Sequence, residues 1–402
     1  MPQTLGTGRV LPTTTTRTTA TLWSRSSLAA VREHVTLEAL FDAYFDCRKH
    51  KRSKRSAVEY ELNYEAGNYQ LWQELNNMTY QPTTSIAFCV TKPRLREVFA
   101  ADFRDRIVHH LFIAKILPAV ERRLTDRSFA CRVGKGTTYG VKKVNEMTKD
   151  GRGWLARCDI EGFFMSINKD ILMELTEEVV RESATEDTDW WLWLARTIVM
   201  HRPSEDCEIH GNPNLWDDLP DNKTLFKTDG MPIGNLPSQV LANLYLADFD
   251  RHIISLVGED NYARYADDFL IRCDTKEQIP NTLQSAREWL KENRKLTLHP
   301  KKVCIQKTLR GVTFTGFFLK GGVIHAGKRL KARAMKVSRE WSQKESHTDE
   351  ERERLRSGYN SYCGLLKPTA SRRLRRRMWR TLGDYEKLTC INMEKITLTP
   401  NI

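Results

Sequence analysis

Residues 261–274 read NYARYADDFLIRCD. Strand-forming residues lie on both sides of an Asp-Asp pair, so the stretch is predicted to be a β-hairpin with Asp267 and Asp268 at its turn. An Asp-Asp pair alone is usually only turn chemistry, because Asp suits turns. Here Phe269 and Ile271 form an apolar face directly after the pair, which predicts that both carboxylates lie at the end of a buried strand.

A second acidic strand end is predicted upstream, in GWLARCDIEGFFMSI at 153–167. This stretch is expected to be a buried strand that ends at Asp159, followed by a turn and a helix. If the two strands are neighbours, three carboxylates converge and repel one another unless divalent cations neutralise them. Oxygen-only ligands select magnesium or manganese, and two ions about 3.5–4 Å apart can catalyse phosphoryl transfer. Such a site fits both a polymerase and a nuclease, and only the surrounding residues distinguish the two classes of enzyme.

The charge of the chain points to a polyanionic partner. Among 402 residues, 64 Lys and Arg stand against 51 Asp and Glu, a net charge of +13. Residues 325–380 alone hold 17 Lys and Arg and 6 Asp and Glu. Nucleic acid is the commonest partner for such a surface, and a merely soluble basic surface is the alternative.

Cysteine usage and hydropathy suggest a cytoplasmic protein. The nine cysteines include no Cys-x-x-Cys pair, which argues against a zinc ribbon or a disulfide framework and suits a reducing compartment. The most apolar run, WWLWLA at 190–195, is far shorter than the roughly 20 residues of a membrane span, so no membrane contact is expected. Residues 1–35 are Thr-rich and predicted to be a disordered extension.

The rest of the chain is predicted to be mixed α and β. Residues 36–80 indicate two helices flanking a basic elbow, and 85–100 indicate two strands joined by a Lys-Pro turn. A helical period runs from Phe103 to Leu124, and 201–229 reads as a polar insertion. Near the C-terminus, Thr348 with Glu351 matches a capping box.

Four motifs in this order resemble the reverse transcriptases. They are DIEGFF at 159–164, YADD at 265–268, LHPKK at 298–302 and FTGFFL at 314–319. The resemblance covers about residues 36–385, and it implies an α+β right-hand polymerase fold with fingers, an antiparallel-sheet palm and an α-helical thumb.

The same resemblance predicts where these subdomains lie. Fingers are expected over 36–152, the palm over 153–325, and the helical basic thumb with a tail over 326–402. The thumb cations would follow the backbone of an RNA–DNA duplex.

The match looks closest to the reverse transcriptases of diversity-generating retroelements. Its signs are four segments of the chain: KPRLREVFAADFRDRIVHHL at 92–111, FACRVGKGTTYGV at 129–141, PIGNLPSQ at 232–239 and YCGLLKPTASRRLR at 362–375. The segment PIGNLPSQ stands where most relatives have Gln-Gly-x-x-x-Ser-Pro. The Thr-rich N-terminus and Leu95 depart from the family pattern. The resemblance implies copying of a retroelement RNA into cDNA, with errors at template adenines.

Motif positions assign the metal ligands. Asp159 and Asp267 match the main ligands, with Asp268 beside them and the Ile160 carbonyl as a further candidate. The resemblance implies two Mg²⁺ ions, for which Mn²⁺ can substitute. Lys302 of LHPKK matches the lysine that protonates the departing pyrophosphate; a solvated lysine is the alternative, and Lys301 is close enough to be confused with it.

Other positions match nucleotide-binding residues. Phe164 aligns with the steric gate that excludes a 2′-hydroxyl, although it could equally be a core aromatic. Arg96 matches the fingers arginine that clamps the triphosphate, a role suited to a planar fork of donors, and Lys92 could assist.

Residues 231–246, MPIGNLPSQVLANLYL, predict a turn that opens into a helix with Asn235 as N-cap. Gly234 is expected to let the backbone approach the nascent base pair, with Gln239 beside template and nucleotide. Most relatives have glutamine where Ile233 stands. The isoleucine offers shape but no polar contact, which predicts weaker discrimination; simple packing is the alternative.

The family also implies partners: template RNA and its duplex with cDNA, deoxynucleoside triphosphates, and often a small basic ring-forming accessory protein. Two other functions stay open, namely an antiphage or retron-type reverse transcriptase and a non-catalytic RNA-binding relic of the polymerase fold. The retron motifs Asn-Ala-x-x-His and Val-Thr-Gly do not occur in the sequence, and the three intact aspartates argue against a relic.

Overall fold

A computed structural model describes most of the chain. The described residues are 32–49, 55–92, 94–343, 348–382, 388–391 and 395–398.

Helices occur along most of the described chain. In chain order they are α1 (Leu37–Arg48), α2 (Arg55–Glu61), α3 (Tyr64–Asn76), α4 (Phe103–Arg123), α5 (Gly136–Thr148), α6 (Phe163–Ser166), α7 (Lys169–Ser183), α8 (Thr188–Val199), α9 (Asn214–Asp217), α10 (Leu236–Tyr245), α11 (Ala247–Val257), α12 (Gln278–Arg294), α13 (Lys328–Ser342), α14 (Asp349–Leu366) and α15 (Arg372–Leu382). The predicted helix from Phe103 is confirmed.

Short strands lie between the helices, and two more follow α15. They are β1 (Ser85–Val90), β2 (Arg96–Ala100), β3 (Trp154–Asp159), β4 (Cys207–His210), β5 (Tyr262–Tyr265), β6 (Asp268–Cys273), β7 (Cys304–Lys307), β8 (Val312–Phe314), β9 (Phe317–Lys320), β10 (Val323–Ala326), β11 (Leu388–Ile391) and β12 (Lys395–Leu398). The strand pair predicted over 85–100 is confirmed as β1 and β2, which are antiparallel.

The central sheet has four antiparallel strands in the order β5-β6-β3-β7. It contains the predicted hairpin, as β5 and β6. Its two faces pack on different cores, because alternate residues of a strand point to opposite sides. Phe269 and Ile271 belong to the large core under the helices, whereas Leu270 between them packs with Phe314 and Phe317 of the β8-β9-β10 sheet. The sheet is therefore covered on both faces, and its strand ends are held firmly.

The N-terminal region contains more structure than predicted. It forms three helices, α1 to α3, rather than two; part of the basic elbow, residues 50–54, lies outside the described residues. Residues 1–31 of the expected extension also lie outside them. His34 and Val35 were assigned to that extension, but their amides both donate to Asn76 Oδ1, and the Val35 side chain is buried. The packed domain therefore starts before residue 36.

The predicted polar insertion at 201–229 is attached to the β1-β2 hairpin. Its strand β4 pairs with β1 in parallel, which gives the sheet order β2-β1-β4. Glu97 of β2 is fully buried and accepts from Thr224 Oγ1 (2.8 Å) and from the Leu225 amide (2.6 Å). The insertion is thus a structured part of the domain rather than a loose loop.

The C-terminal helices form a separate apolar cluster. Leu355, Tyr359 and Leu366 of α14 pack with residues of α13 and α15. The predicted capping box is confirmed: Thr348 and Glu351 bond reciprocally through side chain and backbone. Helix α15 carries six of the twelve arginines of α13 to α15, and none of these side chains belongs to this small core.

Candidate active site

The three predicted aspartates meet at one end of the central sheet. Asp159 is the last residue of β3 and Asp268 the first of β6, and the two are direct cross-strand partners. Asp267 occupies the turn just before Asp268, and its carbonyl accepts from the Ile160 amide at 3.2 Å. The convergence expected from the sequence is therefore present, and Ile160 lies beside it.

The carboxylates affect one another electrostatically. Burial, together with the negative charges of Asp268 and Asp159, raises the pKa of Asp267 to about 6. Partial loss of solvent and the charge of Asp159 also raise the pKa of Asp268. Such a cluster attracts positive charge.

Lys302 supplies one positive charge directly. Its Nζ donates to Asp159 Oδ1 at 2.6 Å. The loop before it is tied to the same strand end, because the His299 amide donates to the Asp159 carbonyl at 2.8 Å and the Lys302 amide to the His299 carbonyl at 3.2 Å. Lys301 is exposed on the rim of the cleft. Geometry therefore separates the two lysines that the sequence left ambiguous.

The aspartates open into a cleft of about 1270 Å³. Its further lining includes Arg94, Arg157 and Lys328. The charges of Arg157 and Arg94 act to lower the pKa of Asp268 and so oppose its rise. The cleft therefore combines an acidic floor with basic walls, which suits a polyanion bound through cations.

The sequence did not single out Arg94 or Arg157. Arg157 lies two residues before Asp159 on β3. Because residues two apart on a strand share a face, the sequence could have indicated that Arg157 lies on the same side of the sheet as Asp159. Arg94 lies between β1 and β2, and only the fold shows that this turn reaches the cleft. Arg96 and Lys92, which were singled out, are exposed near the same turn, and neither is among the described residues that line the cleft.

Phe164 is partly buried against the large core, next to the fully packed Phe163. Its carbonyl accepts from the Met231 amide at 2.8 Å. Gly230 lies against the same backbone, since a Cβ there would approach the Phe164 carbonyl oxygen to 2.3 Å. The predicted gate residue is thus linked to the turn that contains Ile233.

The turn at 233–235 packs against β2. The Phe99 amide donates to the Ile233 carbonyl at 2.9 Å, and Ile233 is partly buried against a small cluster that includes Phe99. Gly234 has φ +124°, and a Cβ there would lie 2.8 Å from Val98 Cγ1. The close approach that requires glycine is therefore to β2. Gln239 is exposed on α10.

Asn235 occupies the N-cap position of α10, but its side chain does not cap the helix. Its Oδ1 instead accepts from the Ala101 amide at 3.2 Å. The predicted N-cap position of Asn235 is confirmed, but its side chain makes no capping hydrogen bond, because a tertiary contact to the end of β2 takes the side-chain oxygen.

The donor set suits a hard divalent cation in its chemistry, since it consists of carboxylate oxygens that repel one another. As positioned, however, no group of three or more His, Cys, Asp or Glu side chains among the described residues is arranged to hold a metal ion. Asp159 is turned towards Lys302 instead. A cation would therefore have to compete with this lysine.

Comparison with known proteins identifies the family. Residues 91–319 match the family described as reverse transcriptase (RNA-dependent DNA polymerase), and this match spans more than half of the chain. The chain belongs to that family. It therefore has the α+β polymerase fold expected from its motifs, with fingers, an antiparallel-sheet palm and a helical thumb, and at the level of the family it is an RNA-directed DNA polymerase.

Individual relatives are distant. Protein YkfC of Escherichia coli (strain K12) is 24% identical over 302 residues, which cover 65% of this chain and 71% of that protein. A telomerase from Candida albicans, in complex with a fragment of telomeric RNA, aligns with a TM-score of 0.46 at 8% identity over 76% of this chain. An apo telomerase from Candida tropicalis aligns with a TM-score of 0.43 at 10% identity over 61%. The chain spans 62% and 55% of these two telomerase chains.

In the part of the chain that the structure describes, none of the helices has both the length and the apolar character needed to span a bilayer.

Proposed function

We propose that this protein copies the template RNA of a retroelement into cDNA, with nucleotidyl transfer at Asp159, Asp267 and Asp268. The observation that carries the proposal is the register of the central sheet, which sets Asp159 directly opposite Asp268 with Asp267 in the adjoining turn. Three acids at one end of the sheet, beside a cleft with basic walls, match the needs of a reaction that joins a primer hydroxyl to a triphosphate.

The three aspartates would hold two Mg²⁺ ions, with the Ile160 carbonyl as a further ligand and Mn²⁺ as a substitute. When bound, such ions activate the primer hydroxyl and steady the leaving pyrophosphate. Binding requires ionised carboxylates, so it would be favoured above the pKa of about 6 of Asp267, and Asp159 would have to leave Lys302. Lys302, released from Asp159, would then be free to donate a proton to the departing pyrophosphate.

Cations near the β1-β2 turn would bind the nucleotide. Arg94 reaches the cleft that contains the aspartates, and Arg96 and Lys92 lie near the same turn. Together they would hold the triphosphate by charge-assisted hydrogen bonds. Phe164 would act as the steric gate below the sugar, and Gln239 would lie beside the template and nucleotide.

The proposed subdomains are fingers over 36–152, palm over 153–325, and thumb with a C-terminal tail over 326–402. The thumb cations, concentrated on α13 and α15, would follow the duplex of template RNA and cDNA through its phosphates. A small basic ring-forming accessory protein is a further proposed partner.

The finer part of the proposal is that copying is error-prone at template adenines. Its support is Ile233, which stands in a turn that contacts both β2 and, through Met231, the Phe164 backbone. An apolar side chain there supplies no hydrogen bond to the nascent base pair, so discrimination depends on shape.

RNA-templated primer extension tests the reaction itself. A DNA primer annealed to RNA should be extended with deoxynucleotides and Mg²⁺, and poorly with ribonucleotides. The absence of extension by folded wild type under these conditions would remove the proposal, and extension restricted to a DNA template would indicate a different polymerase.

Sequencing of cDNA tests the adenine claim. Ile233→Gln should lower the error rate chiefly opposite adenine, whereas Ile209→Gln, an exposed isoleucine on β4, should leave the error spectrum unchanged. If both variants give the wild-type spectrum, Ile233 does not set fidelity. A near-repeat in neighbouring DNA that differs mainly at adenines would support the retroelement assignment, and its absence would favour the antiphage alternative.

A further inference from the structure

Arg264 lies on β5, directly ahead of the aspartate turn, and its charged side chain is fully buried. The guanidinium pairs with both carboxylate oxygens of Asp250 on α11, at 2.6 and 2.7 Å. It also donates to Ser128 Oγ (3.0 Å), to Asn243 Oδ1 (3.2 Å) and to the Ala266 carbonyl (3.1 Å). One side chain therefore links two helices, a loop and the turn that holds Asp267.

The surrounding contacts fix Arg264 in place. Its amide donates to the Arg127 carbonyl at 2.7 Å, and its carbonyl accepts from the Phe129 amide at 3.0 Å. Tyr262, two residues earlier on the strand, donates to Asp250 Oδ1 at 2.6 Å. The ion pair is consequently rigid and shielded from water.

The turn beyond Arg264 needs support. Ala266 has φ +56°, in the left-handed region that residues with a Cβ rarely adopt. Such a conformation persists where surrounding contacts determine it. The bond from Arg264 Nη1 to the Ala266 carbonyl is one such contact, and the next residue in the chain is Asp267.

We propose that Arg264 is a positioning residue for catalysis. It holds the Ala266 carbonyl and thereby fixes the turn that presents Asp267 to divalent cations. A buried ion pair is weak evidence for stability, because desolvation offsets much of its attraction. Its role here is geometric, because it links the packed helices α10 and α11 to the turn that contains the Asp267 carboxylate. This inference rests on the proposed role of Asp267.

The test compares Arg264→Lys with Tyr262→Phe. Lysine keeps the charge beside Asp250 but lacks the fork that also reaches Ala266. Phenylalanine removes a bond to the same carboxylate without any contact to the turn. Two quantities are measured: Mn²⁺ binding to the nucleic-acid-free protein by electron paramagnetic resonance, and steady-state primer extension. Thermal unfolding reports the structural cost of each change.

Arg264→Lys is expected to weaken Mn²⁺ binding and lower kcat by at least about tenfold, with the KM for deoxynucleotide within about twofold of wild type. Tyr262→Phe should lose stability but keep Mn²⁺ affinity and kcat. Wild-type Mn²⁺ affinity and kcat in folded Arg264→Lys would overturn the proposal, as would equal losses in both variants.

If Arg264→Lys does not fold, Asn243→Ala provides the second test, because Asn243 Oδ1 accepts from the same Nη1 that reaches Ala266. A smaller loss of kcat and of Mn²⁺ affinity, with unchanged KM, is expected, and wild-type values would overturn the inference. Failure of the proposed function is distinguishable, because wild type would then extend no primer on RNA. Failure of the positioning role leaves wild-type extension intact.

Discussion

Lys302 Nζ lies 2.6 Å from Asp159 Oδ1, so a lysine is paired with the carboxylate that the proposed reaction assigns to a metal ion. The pair joins the loop after α12 to the end of β3. It neutralises part of the acidic cluster and must open before Asp159 can coordinate a cation.

Removing this lysine should have two opposite effects. In Lys302→Ala, less Mg²⁺ should be needed for half-maximal activity because no ammonium competes for Asp159. The maximal rate of nucleotidyl transfer should fall on the order of 100-fold, because the proton donor is lost. Rates measured over a Mg²⁺ series separate the two effects.

Lys301→Ala is the matched control, since this lysine is exposed on the same rim. It should leave the rate nearly unchanged. Equal losses in both lysine variants, or a wild-type rate in Lys302→Ala, would contradict the assignment.

Arg94 should contribute more to nucleotide binding than Arg96. Both arginines are exposed, but Arg94 lines the cleft and its charge acts on Asp268, whereas Arg96 of β2 is not among the described residues that line the cleft. Arg94→Ala is expected to raise the KM for deoxynucleotide about tenfold, the effect of losing one charge-assisted hydrogen bond. Arg96→Ala should raise it less. The reverse order in steady-state primer extension would restore Arg96 as the main clamp.

Asp267 should destabilise the metal-free protein at neutral pH. Its pKa of about 6 in the folded state exceeds the value of about 3.9 for unfolded Asp. The folded state therefore binds this proton more tightly, and the resulting stabilisation is complete below about pH 4 and lost as pH rises through 6.

In EDTA at pH 7.5, Asp267→Asn should accordingly raise the free energy of unfolding by about 1–3 kcal/mol, and the gain should vanish near pH 4. Denaturant unfolding at both pH values measures it. Asp218→Asn, at an exposed acid in the 201–229 segment, should show no such gain. A destabilised Asp267→Asn at pH 7.5 would show that burial and repulsion do not destabilise the charged form of this carboxyl.

Gly234 should be intolerant of a side chain. Its φ of +124° and the approach of a Cβ to Val98 Cγ1 predict that Gly234→Ala costs about 1–3 kcal/mol and displaces β2. Thermal unfolding should show a lower Tm, whereas Gly364→Ala, which meets open space on α14, should not lower it. Equal Tm values for wild type and Gly234→Ala would remove the packing explanation.

The sequence predicted the convergence of the three aspartates because its signals are local. The hairpin of β5 and β6 follows from alternation around a turn, and the strand ending at Asp159 from an apolar run that stops at an acid. The order of the motifs then predicted that two strands more than 100 residues apart in the sequence belong to one site. The predicted and observed structures agree at these strands, which are buried on both faces of the sheet.

Other features depend on contacts between distant segments and had no local signal. The parallel pairing of β4 with β1 joins segments about 120 residues apart. The Asn235 side chain turns to Ala101 rather than to its own helix. Arg94 reaches the cleft only because of how β1 and β2 pack. The side-chain partners of Arg264 come from two helices, a loop and the aspartate turn.

The most direct measurement of the central claim is single-nucleotide incorporation on an RNA template with Mg²⁺. Wild type is compared with Asp159→Asn, Asp267→Asn and the control Asp218→Asn, with folding verified by circular dichroism. If Asp159 and Asp267 hold the cations, both variants should lose on the order of 1,000-fold or more in rate while the control matches wild type. Incorporation by Asp267→Asn at the wild-type rate would contradict the account.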